Sequence, residues 1–263
     1  MPFLTRIVDL ITFKLPYYGL HEMTKICGKR RDEIWNRLPF RNLKTTKILP
    51  DGNKIIVSWE DYYVDWDIYH EATYNRFFRP QPGDTVVDIG AHIGVYTLKV
   101  AKQVGNKGRV ISIEPENENH KLLMKNIKIN KYQNITPVKI ALSDFEGKAD
   151  LFLKARSRSH SLIRKTWITP IVDVTRTTVT TLDKLLHRLS VKRVDILKIN
   201  VEGAELKVLE GSREFLARER ISKIVITPHP PYIQSANEIS SYLRAFGYKT
   251  EVIDGAQILY AYL

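Results

Sequence analysis

Residues 85–97 read TVVDIGAHIGVYT, and the reading of this stretch decides the fold. A β-branched apolar run ends at Gly90, four residues of turn follow, and helical periodicity begins at Val95. Gly90 permits a tight turn with close backbone approach to a ligand, and Gly94 lets the helix start against the strand. Asp88 stands at the strand tip, and Ala91 and His92 complete the turn. The spacing D-x-G-x-x-x-G is not the G-x-G-x-x-G of pyrophosphate binding. It is not a P-loop either, because Val95-Tyr96 occupy the place of Lys-Ser/Thr.

Outward from this unit the chain alternates. Strand-like runs at 85–89, 109–113, 135–142, 194–199 and 223–227 are interleaved with helix-like runs at 95–104, 116–130 and 204–218, and another follows at 237–246. Strands apolar on both faces, separated by helices, indicate a parallel sheet covered on both sides. Two last strand-like segments, 248–253 and 257–262, are joined by Asp254-Gly255, a strong hairpin signal. The expectation is an α/β fold whose mostly parallel sheet finishes with an antiparallel strand. A further strand signal lies at 54–59. Residues 1–45 read as a helical appendage and 46–263 as the main domain.

In such sheets ligands bind beyond the carboxyl ends of the strands, near the switch in strand order. Glu114 ends the second strand, 26 residues after Asp88, where a carboxylate accepts both hydroxyls of a ribose. Asp144 follows the third strand and is placed to take an adenine amino group, although its Asp-Phe-Glu-Gly setting reads equally as a turn. Acidic strand tips repel phosphate but suit a nucleoside carrying positive charge, and S-adenosylmethionine has that chemistry. At the fourth strand, DILKINVEGAE (195–205) brings Asn200, Glu202 and Glu205 to the same mouth. Glu202, His229 and Asn200 are the catalytic candidates, whereas Glu205 has the simpler role of stabilising a helix N-terminus. No pair of histidines or cysteines shows zinc-ligand spacing, and because Asn200 is a weaker oxygen ligand than Asp would be, a metal at this tip is the minority reading. TPHPPY (227–232) reads as a rigid loop that aims His229 at the site, with a plain turn as the alternative.

These motifs, PGDTVVDIGAHIGVYT, SIEPENENHKLLMKNIKIN, ALSDFEG and DILKINVEGAELKVLEG, give residues 66–225 a resemblance to FkbM-type S-adenosylmethionine-dependent methyltransferases. The resemblance implies a class I methyltransferase, Rossmann-like, with a seven-stranded sheet whose last strand is antiparallel. It implies that Asp88, Gly90, Gly94, Glu114 and Asp144 line the cofactor, with Glu114 on the ribose. It also implies methylation of a hydroxyl on a sugar, glycolipid precursor or other small metabolite. His92 and Asn200 stand where the family commonly carries Asn and Asp.

Composition bounds the alternatives. The 263 residues are 43% hydrophobic and 27% charged, with a formal charge of +12 that favours an anionic partner. A small-molecule or glycan acceptor, anionic in class, fits. RNA is the competing partner, and a non-catalytic nucleoside-binding scaffold is the third reading. Residues 62–79 and 154–165 border the cofactor unit as substrate walls, where Arg156, Arg158, His160 and Arg164 are placed to hold phosphate or uronate groups. One cysteine, Cys27, excludes an intramolecular disulfide and fits a reducing cytoplasm. No run is long enough to span a membrane, and no signal peptide is expected. The amphipathic residues 1–20 suit packing on the domain or on a second subunit, with peripheral membrane contact as the alternative.

Overall fold

The computed structural model describes residues 44–58, 61–62, 64–69, 74, 77–164, 170–229, 232–253 and 257–263. The appendage reading of residues 1–43 and Cys27 therefore falls outside the described residues, as does the Asp254-Gly255 turn.

The central sheet follows from strands with apolar residues on both faces. Strands β3 (Thr85–Ile89), β4 (Arg109–Ile113), β9 (Val194–Ile199) and β10 (Ile221–Ile226) run parallel. They are joined by β5 (Ile135–Val138) at one edge and by β11 (Lys249–Ile253) and β12 (Ile258–Tyr262) at the other. The order is β11-β12-β10-β9-β3-β4-β5, and β12 is antiparallel to both neighbours. The expected seven strands and antiparallel ending are thus present. The order reverses between β3 and β9, which makes their tips the switch point.

Alternation along each strand divides the core in two. Val87, Ile89, Ile111, Ile113, Leu197 and Ile199 face α4 (Leu182–Arg188), α5 (Glu205–Glu210), α6 (Arg213–Ala217) and α7 (Tyr232–Arg244). Val86, Val110 and Ile196 face α2 (Val95–Val104), α3 (Asn117–Ile129) and the strand β2 (Lys54–Ser58). A short helix α1 (Trp66–Tyr69) precedes β3.

Several boundaries differ from the sequence expectation. The run 135–142 is two strands, because β5 ends at Val138 and β6 (Ala141–Leu142) leaves for a second sheet. There β6 pairs with β8 (Ile171–Thr180), which pairs with β7 (Gly147–Lys154). β5 tolerates Pro137 because it is an edge strand. Lys44 and Thr45, assigned to the appendage, belong to strand β1 (Lys44–Ile48), paired with β2. The helix expected over 204–218 breaks into α5 and α6 at Gly211, where a Cβ would lie 2.1 Å from the Ser143 carbonyl oxygen.

On the α2/α3 side of the sheet, Asp88 and Lys198 are register partners on the two central strands. Their side chains are 0% and 4% exposed, with Nζ 2.9 Å from Oδ1. Thr97 donates to the other carboxylate oxygen at 2.6 Å, and Lys198 also donates to the Gly90 carbonyl at 2.9 Å. Burial works against the ammonium, but Asp88 outweighs it and raises the lysine above its ordinary value. Removing one partner of such a pair leaves an uncompensated buried charge. Lys198→Met is therefore expected to cost about 3–5 kcal/mol in denaturant unfolding, with most of the loss restored by adding Asp88→Asn. A single variant as stable as the parent would show that the pair does not hold the strand tips.

Candidate functional site

A cavity opens beyond the carboxyl ends of β3, β4 and β9, enclosing about 1090 Å³ between its walls, the part open to solvent included. Gly90, Ala91 and His92 form one wall, Glu114 and Pro115 the next, and Asn200, Val201 and Glu202 the third. Gly90 has φ +75°, and a Cβ there would fall 1.8 Å from the Asn200 carbonyl oxygen. Its glycine is required by the neighbouring strand tip, a reason different from ligand approach. Gly94 is similar: a Cβ would fall 2.6 Å from Leu123 of α3, and the residue does not line the cavity.

Of the three acidic tips, one faces the cavity. Glu114 is 5% exposed; Oε2 accepts from the His92 amide at 2.8 Å and Oε1 from the Glu116 amide at 3.0 Å. Burial pushes its carboxyl up to about 7 despite those two bonds. Each oxygen retains a further lone pair. Asp88 does not serve as a wall residue, because Lys198 and Thr97 engage both of its oxygens in the interior. Asp144 is exposed and turned to Lys207 at 3.0 Å, whose ammonium holds its carboxyl below the usual range. Neither carboxylate, both expected at the ligand, is among the residues that line this cavity. Lys198 was missed as a wall residue, although a lone charge inside the apolar run ILKIN was a signal for it.

At the third wall the candidates separate. Glu205 is buried, and its Oε1 accepts from the Gly203 amide at 3.0 Å and the Val201 amide at 3.3 Å, holding the turn that enters α5. Glu202 lines the cavity with φ +58°. His229 lies between them, Nδ1 2.8 Å from Glu205 Oε1 and Nε2 3.1 Å from Glu202 Oε1. Burial pulls its pKa down, but the two carboxylates prevail and carry it up to about 10. With both ring N–H groups committed to carboxylates, His229 is placed as an imidazolium clamp between Glu202 and Glu205.

A roof covers the cavity between these walls. The turn Ser157–Ser159 after β7 is tied to one side where His92 Nε2 meets Ser157 Oγ at 3.0 Å and Asn119 donates to the Ser157 carbonyl at 2.9 Å. Ser157 in turn donates to Asp61 at 2.7 Å. On the other side Ser161 donates to the Glu202 carbonyl at 2.8 Å. His160 Nδ1 accepts from the Lys154 amide at 3.0 Å, and burial brings its pKa down to about 4, so its proton is on Nε2. Of the basic residues singled out, Arg158 and His160 line the cavity, whereas Arg156 and Arg164 do not. From 62–79, Val64, Ile68 and Tyr74 do. Among the described residues no cluster of His, Cys, Asp or Glu suits a metal ion, and no helix is long and apolar enough to cross a membrane.

The folded pKa of His229 lies above its ordinary value of 6.5, so its clamp contributes stability fully below about 6.5 and loses it as pH rises through about 10. Ring-nitrogen NMR should find His229 doubly protonated at about pH 8, with the midpoint lowered in Glu202→Gln. A neutral ring at that pH would disprove the clamp.

Comparison with known proteins matches residues 88–250, more than half of the chain, to the methyltransferase FkbM domain. The AMB antimetabolite synthetase AmbE of Pseudomonas aeruginosa is 25% identical across 78% of this chain, a match spanning 11% of that protein. The crystal structure of methyltransferase FkbM from Methylobacillus flagellatus KT superposes with TM-score 0.54 at 18% identity, covering 77% of this chain and 50% of that one. A SAM-dependent methyltransferase from Aquifex aeolicus gives TM-score 0.47 at 17% identity, covering 77% and 93%. The chain thus spans about a tenth of the curated relative and half of the first structure, with which it shares its fold.

Proposed function

The chain belongs to the FkbM methyltransferase family, and from that premise we propose that it methylates a hydroxyl on a sugar, a glycolipid precursor or another small metabolite. Its methyl source is S-adenosylmethionine, and the observation that carries the site assignment is Glu114. This carboxylate is buried at the switch-point cavity, keeps spare lone pairs, and is bordered by the apolar Ile113, Ile140 and Leu142. That combination suits a ribose and a flat base, and a carboxylate at this place disfavours a phosphate beside it. Glu114 would hold the ribose, and Gly90, Ala91 and His92 would border the remainder of the cofactor.

Bound there, the cofactor supplies an electrophilic methyl group. The chain's own residues supply alignment, which is worth about 7–11 kcal/mol of barrier, and a proton acceptor worth roughly 10²–10⁴-fold for an alcohol. Asn200 and Glu202 border the end of the cavity at the β9 tip. Of the three catalytic candidates only Glu202 can accept a proton, since Asn200 is a neutral amide and His229 is already cationic. Arg158 and His160 on the roof suit an acceptor with anionic or hydroxyl-rich groups.

Glu114→Gln removes the charge while keeping the shape, and should weaken S-adenosylhomocysteine binding about 10–100-fold by calorimetry, the worth of charge-assisted bonds. Unchanged affinity would remove Glu114 from the site. Labelled S-adenosylmethionine incubated with a cell extract should place label in material that resists ribonuclease and mild alkali. Label released by ribonuclease would overturn the small-acceptor reading in favour of RNA.

A further inference from the structure

The end of the cavity away from Glu114 contains an unpaired hydrogen-bond acceptor. Asn200 follows directly on β9, and its backbone amide donates to the Ile89 carbonyl of β3 at 3.1 Å. Its carbonyl occupies the space that only a glycine at position 90 leaves open. The side chain is equally constrained. Nδ2 donates to Tyr74 Oη at 3.0 Å, and Thr227 Oγ1 approaches the same hydroxyl at 3.3 Å. Oδ1 is buried and takes no hydrogen bond from the protein. Buried polar atoms are nearly always paired, and an exception in the wall of a ligand cavity fits a donor that the ligand brings. Asn200, Tyr74 and Glu202 all line that cavity.

The sheet order locates this atom. Strands β4, β3 and β9 are consecutive neighbours. At about 4.8 Å between neighbours, the tip of β9 lies roughly 10 Å from the tip of β4, where Glu114 stands. With the ribose at Glu114, that span reaches past the sugar toward the sulfur and away from the base.

We infer that Asn200 Oδ1 accepts a hydrogen bond from the atom that receives the methyl group, so that the acceptor atom carries a hydrogen. This rests on the cofactor reading above and requires a nucleophile that bears a hydrogen on its reacting atom, as the proposed hydroxyl does and a carboxylate or thiolate does not. An amide oxygen orients such a donor without taking its proton, which leaves the proton to Glu202, two residues along.

Sinefungin probes the transfer point, because a carbon replaces the sulfur and an ammonium takes the place of the methyl group beside the acceptor atom, while S-adenosylhomocysteine carries no donor there. Both ligands are titrated calorimetrically into the full chain, Asn200→Ala and Asn200→Asp. The parent should prefer sinefungin by about tenfold, the scale of one charge-assisted bond. Asn200→Ala should reduce the ratio to near one while leaving S-adenosylhomocysteine affinity unchanged, and Asn200→Asp should retain the preference. A ratio unaltered in Asn200→Ala overturns the inference. Equal weakening of both ligands places Asn200 at the amino-acid end and overturns it too. Should the alanine variant fail to fold, loss of the preference in Asn200→Asp has the same force. If the parent binds neither ligand, the cofactor reading itself fails, a result separate from the others.

Discussion

The buried ion pair between Asp88 and Lys198 is the constraint on which the site depends. Both residues lie on central strands of a sheet covered on each side, where a charge is costly unless fully satisfied. Satisfaction here is nearly complete: Thr97, two backbone carbonyls and the faces of Tyr74 and Tyr96 complete the surroundings of the two charges. The pair joins β3 to β9 at the switch point, just before both chains turn away. That brings the Gly90 and Asn200 backbones into contact and sets the spacing of two cavity walls. Any residue larger than glycine at position 90 would force the walls apart. The same pair turns Asp88 into the interior and leaves Glu114, of the acids at the tips of β3 and β4, as the one that lines the cavity.

The two ends of the cavity treat charge in opposite ways. At Glu114, burial raises the carboxyl and two amides oppose it only in part, so the folded state binds its proton more tightly than the unfolded chain does. Between the ordinary value of 4.5 and about 7, rising pH therefore erodes stability at this position, and a ligand donating to the carboxylate would offset that cost. At the other end, two carboxylates share one imidazolium, and the cation holds Glu202 and Glu205 together across a turn in which Glu202 sits at positive φ. That strain is affordable because the clamp, the Gly203 amide bond and the Ser161 contact all fix the same turn.

Much of this was legible in the sequence where periodicity and punctuation coincide. Val95–Val104 emerged as read, because Gly94 and Gly105 bracket an unbroken apolar pattern. The second sheet was not legible. The first six residues of β8, Ile171 to Arg176, are exposed, so IVDVTR shows no burial period to distinguish it from a loop. β5 and β6 were merged because Lys139-Ile140 breaks the strand without glycine or proline. The glycines of 85–97 were read as necessary, correctly, but sequence could not tell whether a ligand or the protein itself crowds them. Likewise Asp88 and Glu114 look equivalent as strand-tip acids until the neighbouring strand supplies Lys198 to one of them.

The two departures from the common family motifs acquire physical meaning in the same frame. His92 is longer than asparagine and reaches the roof, where Ser157 and Asp61 receive it in sequence. Because Ser157 donates its proton to Asp61, His92 must donate from Nε2, and burial keeps the ring neutral against the pull of Asp61. The substitution thus adds a tie between the turn after β3 and the roof. Asn200 stands beside a lysine whose charge Asp88 already balances. A carboxylate there would bury a second negative charge without a cation of its own, whereas the amide keeps an accepting oxygen at the same place and avoids that cost. An amide in place of an acid at position 200 therefore removes a charge from the wall without removing a hydrogen-bond acceptor, and Glu202 is the wall carboxylate nearest to it in sequence.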